Sequence, residues 1–232
     1  MKKLLTGICG VCLLTSGLVA HGAVLLDSFD NPTTSFSLGS EGTSSDDGSD
    51  ATEIFGGHRD LLGEVTDQPG SNLLDFFVDN LDSNECSYSE GSQVDGRFML
   101  VWDGANVIPT PAAVDFATVD GSIDDDGITA TDLTQGGTQD RFKFDVIEAD
   151  WATEVTIRVW SGNGNMSELV NTTMFPGAIA NETKYILYND SGWSTVEGTG
   201  ADFESVTALG MLFEPSTEQS TDLTFDFITT DI

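Results

Sequence analysis

Alternation is the feature that most limits what this chain can become. Val155-Thr156-Ile157-Arg158-Val159-Trp160 sends successive side chains to opposite sides of an extended backbone. Arg141-Phe142-Lys143-Phe144-Asp145-Val146 and Leu223-Thr224-Phe225-Asp226-Phe227 do the same. A period of two belongs to a strand with one packed face and one wet face. Further strands are predicted over residues 24–29, 58–66, 73–79, 96–102, 184–188 and 206–213. Clusters of Gly, Asp and Ser at 42–48, 67–70, 120–127, 161–164 and 190–192 read as turns. Residues 39–51 read as a loop or insertion, and 110–118 as a loop or a single helical turn. No helical periodicity competes, and no linker or repeat divides the chain. The expected fold is all-β: an antiparallel β-sandwich of jelly-roll (galactose-binding-like) type, one domain over residues 23–232.

The start of the chain is of another kind. Lys2 and Lys3 precede an apolar stretch from Leu4 to about Ala20, and Val19-Ala20-His21-Gly22-Ala23 supplies small residues for cleavage. This is the pattern of a secretory signal over residues 1–22, with cleavage after Gly22, or after Ala20 or Ala23. The run is short and glycine-broken for a span of roughly 20 residues, so no membrane span is expected once it is removed. Cys9 follows Ile8 and Cys12 follows Val11, where bacterial lipidation needs a small residue. Only Cys86 then remains, so no internal disulfide can form and the core must hold the domain.

Charge excludes several partners. All 39 acidic residues but only six of the eight basic ones follow residue 22, a net charge of −33 beyond the signal. Such a surface repels nucleic acid and anionic membranes. It suits a salty medium that screens self-repulsion beyond about 8–10 Å. It also suits divalent cations.

Three segments carry a resemblance. Ile54-Phe55-Gly56-Gly57-His58-Arg59-Asp60-Leu61 resembles the Gly-Gly-x-Arg-Asp strand entry of many secreted bacterial sandwich proteins. Asp132-Leu133-Thr134-Gln135-Gly136-Gly137 resembles their Asp-Leu-Thr-x-Gly-Gly segment. Leu26-Asp27-Ser28-Phe29-Asp30 and Leu223-Thr224-Phe225-Asp226-Phe227-Ile228 resemble their paired first and last strands. The chain is thus similar to the PEP-CTERM-associated group, although that group's C-terminal sorting tail is not found up to Ile232. The resemblance implies an exported surface or matrix protein and carries over no catalytic residue.

Candidate chemistry is sparse. His58 is the one histidine beyond residue 22, at the variable position of its motif, and Cys86 has no evident partner, so nucleophilic catalysis lacks its base. Glu148-Ala149-Asp150-Trp151-Ala152-Thr153-Glu154 offers paired carboxylates. It is one residue too long for the Glu-x-Asp-x-x-Glu strand of laminarinase-like hydrolases, and reads as a turn. Residues 120–127 are rich in oxygen ligands but fail as an EF-hand loop: with Gly127 sixth, the first position is Ser122 and the twelfth Leu133. In jelly-roll carbohydrate modules a structural calcium often lies near the first and last strands. That resemblance makes Asp27, Asp30 and Asp226 the candidate Ca²⁺ ligands, or else ordinary sheet-edge charges. For sugar, flat aromatics beside polar groups are needed. Trp160 shares a strand face with Arg158 and Thr156, while Trp151 and Trp193 lie in polar turns. Each tryptophan either caps the core or stands open to a ligand.

These readings converge on a secreted, non-catalytic binding or matrix protein of a Gram-negative bacterium, with polysaccharide or a cell-surface glycan as the expected partner. Trp160, Arg158, Trp151 and Trp193 are the candidate ligand-binding residues. The alternatives are a purely structural biofilm component and a carbohydrate-active enzyme.

Overall fold

The computed structural model describes residues 22–30, 34–68, 70, 72–79, 85–105, 108, 110–162, 164–215 and 221–232, with the side chains of Thr34, Asp79 and Thr173 left aside. The expected signal, apart from Gly22, lies outside the described residues. Fourteen described strands follow in order: β1 (Leu25–Asp27), β2 (Thr34–Leu38), β3 (Gly42–Ser49), β4 (His58–Asp67), β5 (Leu74–Asp79), β6 (Glu85–Glu90), β7 (Asp95–Trp102), β8 (Arg141–Ala149), β9 (Ala152–Trp160), β10 (Met166–Pro176), β11 (Ile179–Leu187), β12 (Ser194–Glu197), β13 (Ala208–Pro215) and β14 (Asp222–Asp231). Every described pairing is antiparallel. Among the described residues, no helix is long and apolar enough to cross a membrane.

The strands form two seven-stranded sheets of a jelly-roll sandwich. The first has the order β11-β8-β14-β6-β5-β2, with β1 also on β14. The second has the order β12-β10-β9-β13-β7-β4-β3. Between them lies an aromatic core. Phe98 stacks on Phe213 at 4.5 Å, and Phe213 meets Phe225 of the opposite sheet at 5.3 Å. Phe76 reaches across to Phe98 at 4.7 Å. Such pairs add about 0.5–1.5 kcal/mol each beyond their burial.

The outer faces of the two sheets differ. On the first, β8 and β6 keep their alternation and β14 keeps it on either side of an irregularity at Asp226; Phe142, Phe144, Val146, Cys86, Tyr88, Leu223, Phe225 and Ile228 are among the side chains that point inward. On the second, β7 and β13 are buried on both faces. On the outside of that sheet lie the described residues of the 103–128 connection. Its Ile108, Val114, Phe116, Val119 and Ile123 pack on Leu62, Met99, Val101, Trp160, Met166, Ala208 and Leu212 as a second core. Close approach is essential here: a Cβ on Gly210 would lie 2.7 Å from the Phe116 ring. One short helix, α1 (Phe116–Val119), forms where a loop or a single helical turn was expected. Asp115 caps it by accepting the Thr118 N–H at 2.8 Å.

Two expectations are corrected. Residues 42–49 form β3, not a loop. This Gly/Ser/Asp edge strand is held by its ladder to β4. Residues 85–90, 166–176 and 194–197 are strands that the periodicity left unread.

Candidate functional site

Trp160 does not stand open. It is 6% exposed, and its ring centroid lies 6.1 Å from that of Phe116 within the second core. Arg158 sits beside it with its guanidinium 4.4 Å from the centre of the Phe116 ring. Its Nη1 donates to Asp120 at 2.5 Å, and its Nε and Nη2 donate to Glu168 at 3.0 and 2.5 Å. The expected sugar plate is therefore corrected to a clasp. The apolar side chains of the 103–128 connection need an apolar floor, and Arg158 ties that cover to β10. Arg97 acts likewise, donating to Glu64 at 2.8 Å and to Glu214 at 3.1 Å. It also reaches Asp115 at 3.5 Å. Trp193 is half-buried. Its Nε1 donates to the Leu187 carbonyl at 2.9 Å, and its ring meets Phe203 edge-on at 5.2 Å, so it anchors a turn. Trp151, in the β8–β9 turn, is 49% exposed and remains available to a ligand. The sequence-selected tryptophans are thus not gathered on one surface.

The proposed metal ligands separate too. Asp27 is fully buried and accepts three hydrogen bonds: from Arg59 Nη1 at 2.7 Å, Trp102 Nε1 at 2.9 Å and the Phe29 N–H at 3.0 Å. Arg59 comes from β4 and Trp102 from β7, so this carboxylate bridges the sheets, and its counter-cation is a guanidinium. Its place as a calcium ligand is corrected on that ground. Asp30 is exposed, and Asp226 is half-buried. Burial, followed by the charges of Asp145, Glu85 and Asp30, pushes the Asp226 carboxyl above its ordinary value. Among the described residues, no group of three His, Cys, Asp or Glu side chains is arranged to hold a metal.

The remaining motifs resolve into turn and knot chemistry. Asp60 accepts the Ile108 N–H at 3.1 Å. Gln135, Gly136 and Gly137 all have positive φ, and Asp132 fills the resulting nest, accepting the Gly136 N–H at 2.7 Å and the Thr134 N–H at 2.8 Å. The slight burial of the Asp132 carboxyl works against its charge, yet these bonds hold it below its ordinary value. Glu148, Asp150 and Asp222 sit together, and the Asp150 charge, then burial, pushes the Glu148 carboxyl up. Glu154 lies on the other sheet opposite Glu214 and does not complete a catalytic pair with Glu148. Burial also pushes up the thiol of Cys86.

What the sequence reading missed is the outer face of the first sheet. Tyr185 on β11 is 46% exposed and lies opposite Lys143 on β8. Thr183 lies opposite Asp145, which in turn faces Phe227 on β14. Phe77 on β5 is 37% exposed, between Ser35 on β2 and Ser87 on β6. Tyr185, Phe227 and Phe77 therefore stand on every second strand along a diagonal of this face. Adjacent strands are about 4.8 Å apart, so successive rings are separated by about 10 Å across the sheet. Arg141 sits 5.4 Å from the Tyr185 ring centre and Lys143 4.8 Å from that of Phe227. Hydroxyls fill the spaces: Thr183 donates to Asp145 at 2.6 Å, Ser87 and Thr224 share a bond at 3.1 Å, and Ser37 donates to Asp75. A shallow depression of about 190 Å³, lined by Asp145, Val146, Ile147, Asn181, Glu182 and Thr183, opens beside this line. The signal was in the sequence. Tyr185 and Phe77 each lie one residue from a side chain that packs inward.

No protein-family model and no curated protein matches the chain. Among solved structures, it is similar to the carbohydrate-binding module CtCBM11 determined in solution, with a TM-score of 0.40 and 15% identity over 92% of this chain and 97% of that one. It is also similar to a family 11 carbohydrate-binding module from Clostridium thermocellum in complex with a β-1,3-1,4-mixed-linked tetrasaccharide. There the TM-score is 0.39 and the identity 13%, over 91% of this chain and 96% of that one. Identity this low carries over no residue roles.

Proposed function

We propose that the protein is an exported, non-catalytic glycan-binding protein whose binding surface is the outer face of the first sheet. One observation carries this reading: three partly exposed rings stand on every second strand, with hydroxyls and carboxylates between them. A pyranose ring offers a C–H face to an aromatic plate and hydroxyls to polar neighbours, so this alternation suits a sugar chain laid across the strands. Export rests on the pattern of residues 1–22. Trp151, exposed in the β8–β9 turn that follows β8, supplies an additional plate.

The test is retention on insoluble polysaccharides by wild type and by Tyr185→Ala and Phe77→Ala. Retention is expected for wild type and to fall in both variants at unchanged melting temperature. Equal retention by all three would remove this face from the function. It would leave a structural matrix role.

A further inference from the structure

We infer that this face binds an internal stretch of an uncharged polysaccharide, and not an acidic one. This inference rests on the glycan-binding reading above and specifies the ligand class. Among the described residues, the basic side chains on this face are Arg141 and Lys143 of β8, and both are already occupied. Arg141 is paired with Asp140 at 2.5 Å and lies over Tyr185. Lys143 is paired with Asp145 at 3.0 Å and lies over Phe227. Each cation is pinned between a carboxylate of this chain and a ring, so it steadies the ring and offers no net positive site.

The polar border is anionic. Asp75, Glu85, Asp145, Asp226 and Asp231 lie along β5, β6, β8 and β14. Asp145, Glu85 and Asp30 all act on Asp226, next to the Phe227 plate, which places the middle of the line in negative potential. The chain beyond the signal carries a net charge of −33, so the long-range field has the same sign. Carboxylates and hydroxyls accept from or share with sugar hydroxyls at no charge penalty, whereas a uronate or sulfate group would meet like charge.

Among the described residues, the line reaches toward both edges of the sheet. Tyr185 is on the edge strand β11. Beyond Phe77 the other edge strand, β2, presents Ser35 and Ser37 to the same side. A polymer can therefore run over both edges, and the rings span four strand spacings, about 19 Å across the sheet. That length matches several sugar units and not a terminal one.

The experiment compares an uncharged β-glucan, a uronate polymer and a sulfated galactan by affinity electrophoresis at about 20 mM and about 500 mM NaCl, a range that takes the screening length from above 20 Å to below 5 Å. The uncharged polymer is expected to bind at least about tenfold more tightly at low salt, with little salt dependence. Oligosaccharides of increasing length should gain affinity until they span the line, and reduction of the chain end should change nothing. Asp145→Asn and Asp226→Asn should raise the affinity for the acidic polymers relative to that for the uncharged one. Tighter binding of an acidic polymer that is lost in Tyr185→Ala overturns the uncharged class while keeping the site. Loss of affinity on chain-end reduction overturns the internal mode. Failure of all three polymers to bind, with wild type and Tyr185→Ala alike, overturns the glycan reading itself.

Discussion

The second sheet is buried on its outer face along β7 and β13, whereas the first sheet is open, and the strands that compose them differ accordingly. Phe98-Met99-Leu100-Val101-Trp102 and Ala208-Leu209-Gly210-Met211-Leu212-Phe213 are unbroken apolar runs, as a strand covered on both sides requires. Arg141 to Val146 and the Leu223–Phe225 end of β14 alternate, as a strand wet on one side requires. β9 is the instructive exception. It alternates like the open strands, yet its Thr156, Arg158 and Trp160 are buried. Alternation therefore shows that two faces differ in chemistry. It does not show that the polar one meets water, because a clasped arginine satisfies the same pattern.

The largest expected effects test the covered side. Trp160→Ala should destabilise the fold by about 3–5 kcal/mol, the range for truncating a large core side chain. A loss below about 1 kcal/mol in urea denaturation would mean that the 103–128 connection does not seal this face. Asp27→Ala should cost a similar amount, about 3–5 kcal/mol, because it strands Arg59 inside the sandwich without its carboxylate. Tolerance of Asp27→Ala at full stability would show that the inter-sheet bridge is dispensable.

These effects also show what the sequence made legible. The predicted strands 58–66, 73–79, 96–102, 141–146, 155–160 and 223–227 lie within or overlap observed strands, because burial on at least one side writes a period of two or a solid apolar run. β3 was illegible because its Gly, Ser and Asp side chains pack little and its ladder to β4 is made by backbone. The cover was illegible because Ile108, Val114, Phe116, Val119 and Ile123 follow no period. Asp27 could be read as a ligand because its partners, Arg59 and Trp102, are distant in sequence. Trp160 was attractive as a binder for the same reason: nothing local indicates a lid that begins at residue 103.

A smaller effect probes the hidden side of the open sheet. Glu90 faces the core from β6 and accepts from the Tyr88 hydroxyl and from the Gly96 N–H at 2.7 Å. Burial outweighs these bonds and pushes its carboxyl above the ordinary value. The folded state therefore holds the Glu90 proton more tightly than the unfolded chain does. Its contribution to stability is fullest below the unfolded value, near 4.3–4.5, and is lost as pH rises through the folded one. Glu90→Gln keeps an acceptor without the charge. It should be more stable than wild type at pH 8, with the gap closing toward pH 4 in denaturation series across that range. A gap constant with pH would mean that Glu90 does not titrate between the two states.

The smallest stability effect belongs to the open face, and it sharpens the contrast most directly. Tyr185→Ala removes a ring that is already 46% exposed and one cation–π contact with Arg141. Exposed contacts of this kind are worth about 0.5–1 kcal/mol, so the melting curve should shift little. Its inward neighbour Ile186 is buried against the main core, and Ile186→Ala should cost about 2–5 kcal/mol. Two adjacent residues on one edge strand would then differ several-fold in stability while only the outer one affects glycan retention, by about 1–3 kcal/mol of binding. Equal destabilisation by the two variants would mean that Tyr185 is part of the packing of the sheet. The open face would then be covered as its counterpart is.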